Sequence, residues 1–136
     1  MVFLTLADFN PQIHAQVFQL YQTSPTALDT IEVAAMQQVS GWISKFYDTN
    51  AAFNPVLPVT RNGLLVMYMV DIVLYHLAAS MPTVPQTRED RYQTAKDFFE
   101  DVMRGRATLD LPLATTGGNT QNTQNRYGES DSDAYF

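Results

Sequence analysis

The strongest constraint in this 136-residue sequence is the run from Leu64 to Ala79, sixteen residues that are apolar or aromatic except for Asp71 and His76. A membrane-spanning helix needs about 20 such residues. The run is too short and carries an acid, so it reads as a buried helix of a soluble protein. A helix that is apolar nearly all round must be enclosed by other elements. Its predicted extent is about Gly63 to Ser80, and the rest of the chain has to supply its cover.

That cover reads as helical. Asn10 before Pro11 is an N-cap followed by proline at the first helical position, and Ile13, Val17 and Leu20 continue with helical spacing. The first helix is therefore predicted from about Pro11 to Tyr21. Ser24 and Pro25 repeat the signal. Leu28, Ile31, Ala35, Val39, Trp42, Ile43 and Phe46 then keep one apolar stripe to about Tyr47. Gly41 falls inside that stripe and costs about 1 kcal/mol relative to alanine, which predicts close approach of another backbone. Between Asp48 and Asn62 periodicity is lost, and Pro55 and Pro58 argue for a long loop.

The last helix is predicted from about Thr87 to Arg104, with Tyr92, Ala95, Phe99, Val102 and Met103 on one side. Gly105 occupies the position where a left-handed residue ends a helix, with Arg104 and Arg106 beside the negative end of the dipole. Thr108 to Leu113 alternates as an extended strap whose Pro112 restricts it to an edge. These elements predict an all-α, four-helix domain over residues 1–113. The arm at 114–136 is rich in Gly, Asn, Thr and Gln and ends in Glu129, Asp131 and Asp133. It lacks the apolar surface to hold itself, so its order is expected to come from partners.

Charge and cysteine content exclude several functions. Eight Lys and Arg against 14 Asp and Glu give a net charge of −6. Wrapping a phosphate backbone requires clustered cations instead. No cysteine is present, so disulfide frameworks, iron–sulfur clusters and thiolate zinc sites are excluded. Two histidines, His14 and His76, are too few to suggest a metal centre, and no glycine-rich phosphate loop precedes a helix. Met1 to Asn10 lacks the basic start of a secretory signal. No cofactor is expected, and no Ser/His/Asp arrangement suggests an enzyme.

Three constellations stand out. Asp71 lies on the apolar helix with Tyr68 three residues before it and Tyr75 four after. It reads either as a general base near a phenol or as a core carboxylate satisfied by a tyrosine hydroxyl, a helix N-terminus or Arg61. The satisfied carboxylate is the commoner case. His76 is rotated about 140° from Asp71 and reads as a half-buried histidine or an interface donor. The last helix carries both signs of charge. Its outer face reads as solvated, or as a subunit contact in which Arg88 and Arg91, together with Arg61, meet a neighbouring copy.

The order of these parts resembles the Mu-like family of phage head-to-tail connector proteins, the small adaptor or head-completion proteins. Arg61-Asn62 followed by Leu64 to Leu77 looks like that family's central helix. Arg91-Tyr92 with Ala95, Phe98, Phe99 and the closing Gly105 resembles its next helix, and Leu109 to Leu113 its Leu-Pro strap. The resemblance covers about Leu28 to Leu113.

It implies a structural virion protein at the capsid–tail junction, made in the host cytoplasm. There it would form a ring of copies, twelve to match the portal, between the portal protein and tail or stopper proteins. Genomic DNA would pass through without sequence-specific binding, and no membrane is involved. Leu109, Leu111 and Leu113 would anchor the strap to the portal or another partner, with Tyr127, Tyr135 and Phe136 as pegs of the arm. The rival readings are a tail-terminator or other ring of the same particle, a small helical binding module or regulator gripping a partner through the 48–62 loop, and a small enzyme using Asp71.

Overall fold

The computed structural model describes residues 2–9, 17–19, 21–54, 60–79 and 84–114, and the backbone of 130–131 and 133–134. A 3₁₀ turn at Leu6–Asp8 is followed by α1 (Pro25–Ile43), α2 (Thr49–Phe53), α3 (Gly63–Ala78) and α4 (Gln86–Met103). Residues 17–19 and 21–23 are also helical. Extended pairing among the described residues is confined to the two-residue strands Ser130–Asp131 and Asp133–Ala134 and a single bridge, Tyr47 to Leu113. The chain is all-α.

The starts of α1 and α3 have local causes. Pro25 opens α1, although the Ser24 hydroxyl makes no capping bond. Asn62 caps α3 by accepting the Leu65 N–H at 2.9 Å, which satisfies one of the donors a helix start leaves free. α4 stops where Gly105 adopts φ 79°, as the sequence predicts.

Four expectations are corrected. α1 ends at Ile43, four residues before Tyr47, because Phe46 and Tyr47 turn back onto the Ile43 carbonyl. The turn lets Tyr47 meet the strap: its hydroxyl accepts the Leu109 N–H at 2.8 Å. The stretch predicted as a 48–62 loop contains α2, capped by Asp48 on the Ala51 N–H at 3.2 Å. Packing of Phe53 against Phe3, ring centroids 5.1 Å apart, stabilises five residues that could not be helical alone. Gly41 has open space where a Cβ would stand, so no backbone approaches it. The first predicted helix continues to Thr23, while its start at residues 10–16 lies outside the described residues.

α1, α3 and α4 pack against one another in all three pairings. α3 is the enclosed member: Leu65, Met69, Ile72 and Val73 have no solvent exposure. α4 contributes Ala95, Phe99 and Val102, and α1 contributes Leu28, Ala35, Val39 and Ile43, all fully buried. Trp42 stacks on Phe99 at 5.7 Å and Tyr68 on Phe98 at 4.8 Å. Stacked aromatic pairs of this kind add about 0.5–1.5 kcal/mol beyond their area. The N-terminal segment closes the core with Phe3, Leu4 and Phe9.

Candidate functional site

Two carboxylates lie inside this fold, and their surroundings differ. Glu32 is fully buried on α1, at the helical spacing that links Leu28, Ala35 and Val39. Its Oε1 accepts the Val2 N–H at 2.6 Å, and its Oε2 accepts the N–H groups of Phe3 at 3.0 Å and Leu4 at 2.7 Å. The Phe3 and Leu4 donors, which would otherwise be buried without partners, are thereby satisfied, and the exposed Val2 is tied down by the third bond. Sequence reading missed Glu32. The available signal was an acid on an apolar stripe, where a charged side chain is rare unless paired.

Arg61 holds the other end of the same segment. Its guanidinium grips Asp8 through two donors, at 2.5 and 3.0 Å, and donates to the Phe3 carbonyl at 3.1 Å. Burial opposes ionisation of Asp8. The Arg61 hydrogen bond, the Thr5 backbone N–H and the arginine charge overcome that opposition and hold the carboxyl below its ordinary value. Arg61 was expected either beside Asp71 or at a subunit contact. The structure engages it with Asp8 inside the chain.

Asp71 is placed differently. It lies midway along α3, 9% exposed, with Arg91 Nη1 of α4 at 3.7 Å from its Oδ1. Desolvation pushes its carboxyl up, and the positive charges of Arg91 and Arg88 only partly offset that push. The Arg91 side chain stays 58% exposed, so it remains open to solvent while paired. Asp8, Phe9, Val66, Met67 and Val70 complete a groove of 430 Å³ around this pair. Met67 and its neighbour Leu64 are 47% and 42% exposed, giving the groove an apolar lip. Asp71 is thus a paired carboxylate, with Arg91 as the partner where a tyrosine hydroxyl, a helix end or Arg61 was expected.

Tyr75 and His76 belong to a separate cluster. Tyr75 stacks on Tyr92 with centroids 4.0 Å apart. Gln38 of α1 donates its amide N–H to the Tyr92 hydroxyl at 2.8 Å, and its Oε1 lies 3.2 Å from His76 Nε2. That Oε1 is an acceptor only, so His76 Nε2 carries a proton. Burial lowers the His76 pKa. The imidazole ties α1, α3 and α4 together.

The strap lies against its own domain. Asp48 donates its N–H to the Pro112 carbonyl at 2.9 Å, and Ala114 donates to the Phe46 carbonyl at 3.0 Å. Asn62 donates to the Asp110 carbonyl at 3.0 Å. A bend at residues 110–111 breaks the strand period. Leu109 is buried in the core, Leu111 packs partly against it, and Leu113 is 70% exposed. Of the three leucines expected to reach a partner, Leu113 is the one left open. Tyr127, Tyr135 and Phe136 lie outside the described residues.

On α4 the polar face carries Gln86 to Asp90 and Gln93 to Asp97 hydrogen bonds at 2.9 and 2.8 Å. Among the described residues, no cluster of three or more His, Cys, Asp or Glu could hold a metal ion. Nor is any described helix long and apolar enough to cross a membrane. A family model described as Bacteriophage Mu, Gp36 matches residues 5–127. No curated protein and no solved structure matches the chain.

Proposed function

The chain belongs to the family described as Bacteriophage Mu, Gp36, which makes it a phage structural protein, and from that premise we propose that it is a head-to-tail connector. In this reading copies of the chain form a ring on the portal vertex, and DNA passes through its centre. The work is non-catalytic. The observation that carries the reading is the family match to residues 5–127, joined to a helical body whose strap is bonded back to it as far as Ala114.

Physical features support it. A net charge of −6 suits a channel wall, because cations there would add affinity with every phosphate that passed. The strap is held to the body by backbone bonds on both sides of Leu113, so the sequence beyond it starts from a fixed point and can act as a tether. A tether that orders on docking bears its entropic cost at assembly, which leaves the free chain unassembled until its partners are present.

The test is to delete residues 115–136, which leaves the Ala114 bond to Phe46 intact. The shortened chain should fold, with unchanged helical content and melting temperature, and fail to join filled heads. Native mass measurement of the full chain with portal protein should show many copies per complex. A single copy per portal, or normal virion completion by the shortened chain, would refute the connector role.

A further inference from the structure

The groove beside Asp71 has an apolar floor, with Arg91 in its wall and Arg88 close enough to feel the Asp71 charge, and none of the chemistry proposed above uses it. Arg91 pairs with Asp71 while keeping 58% of its side chain exposed. The half-buried Arg88 also feels the Asp71 charge. Two guanidinium charges therefore act on one carboxylate, Asp71. The Asp8 carboxylate on the far wall is taken up by Arg61. Arg91 is shared between Asp71 and solvent and Arg88 adds a second positive charge nearby, so the groove, lined by Met67 and Val70, suits a ligand combining a carboxylate with an aromatic or aliphatic side chain. Its 430 Å³ falls in the range of about 300–1,000 Å³ typical of small binding pockets.

The same chain carries a segment of that chemistry. After Arg126 the sequence reads Tyr-Gly-Glu-Ser-Asp-Ser-Asp-Ala-Tyr-Phe, with three acids, three aromatics and no cation. The segment from Ala114 to Phe136 can extend about 70 Å at roughly 3.3 Å per residue. α4, at about 27 Å for its 18 residues, sets the scale of the body. The arm is long enough to cross onto an adjacent copy.

We infer that the acidic, aromatic stretch 127–136 of one copy docks in the Asp71–Arg91 groove of the next copy. Its carboxylates would meet Arg91 and Arg88, and an aromatic ring would cover Met67 and Val70. This inference rests on the ring reading and names the arm's partner within it, a second copy of this chain.

The experiment places a photo-crosslinker at position 136 of the full chain and mixes isotopically light and heavy copies, alone and in assembled heads. Crosslinks joining light to heavy chains within residues 63–71 are the expected result in assembled heads, and their absence there would overturn the inference. Asp131→Lys with Asp133→Lys, on an arm remote from the core, should lower that yield about five-fold by removing two ion pairs. Arg91→Glu combined with the two lysines should restore it. Crosslinks confined to single chains would overturn the inference in favour of self-docking. Crosslinks to portal protein would overturn it while leaving the connector role standing. An unchanged yield in the double-lysine variant would also overturn it, since the charge pairing would then be irrelevant.

Discussion

The two buried acids, Glu32 and Asp71, show how a fold separates a structural carboxylate from one at a surface able to bind. Glu32 has no exposure and accepts three backbone N–H groups at 2.6–3.0 Å. Its donors are fixed by the covalent chain, so the arrangement is rigid and leaves nothing to offer a partner. Asp71 sits at the edge of the core with a 3.7 Å ion pair to a mostly exposed arginine. Its burial is only partly offset by Arg91 and Arg88, and much of the Arg91 side chain stays open to solvent. Identity as an acid in an apolar helix does not distinguish them. The number and rigidity of the donors do.

The largest effect should come from breaking the Glu32 end. Glu32→Ala leaves the Phe3 and Leu4 N–H donors buried without a partner and opens a cavity, at about 1–3 kcal/mol for each unsatisfied group before relaxation. A loss of about 3–5 kcal/mol is expected in denaturant unfolding. A loss below about 1 kcal/mol would show that the N-terminal segment is not held by this carboxylate.

Arg61→Ala comes next, removing the Asp8 pair and the bond to the Phe3 carbonyl, with an expected loss of about 1–2 kcal/mol at neutral pH. Because the Asp8 pKa is lowered in the folded chain, its contribution is present above the unfolded value of about 4 and disappears as pH falls through the folded one. The difference between Arg61→Ala and the parent should therefore shrink in acid, measured by unfolding between neutral pH and pH 3.

Asp71→Asn should have the smallest effect and the opposite pH signature. A raised folded pKa means the folded chain holds its proton more tightly, so the Asp71 contribution falls as pH rises from the unfolded value through the folded one. The asparagine variant should match the parent within about 0.5 kcal/mol in acid, and be equal or slightly more stable at neutral pH. A substantial loss at neutral pH would place Asp71 beside Glu32 as a structural acid and remove the contrast.

Much of the helical plan was legible because it is local. The Asn62 cap, Pro25 at a helix start and the Gly105 stop each act within one turn. The 3.6-residue spacing of Leu28, Ala35, Val39 and Ile43 reports a buried face directly. The half-buried state of His76 was also readable, whereas the alternation of 108–113 did not foretell the bend at 110–111 that turns Leu109 inward and leaves Leu113 out. α2 was not legible, since five residues become helical only when Phe53 has Phe3 to pack on. The intrachain partners of the arginines were hidden for a related reason. Arg61 and Arg91 look alike in sequence, yet Arg61 holds Asp8 and the N-terminal segment while Arg91 pairs with Asp71 beside a groove.

By itself the sequence determined an all-helical chain built around Leu64–Ala79, because periodicity, caps and breakers are written within a few residues of one another. Family membership was legible in the same local patterns. Only the tertiary structure decided which acid meets which donor. Glu32 reaches residues 2–4 across some thirty positions, Arg61 reaches Asp8 across fifty-three, and Leu109 turns inward while Leu113 stays out. Those pairings depend on how separate elements come together in space, and a single sequence carries no record of that distance.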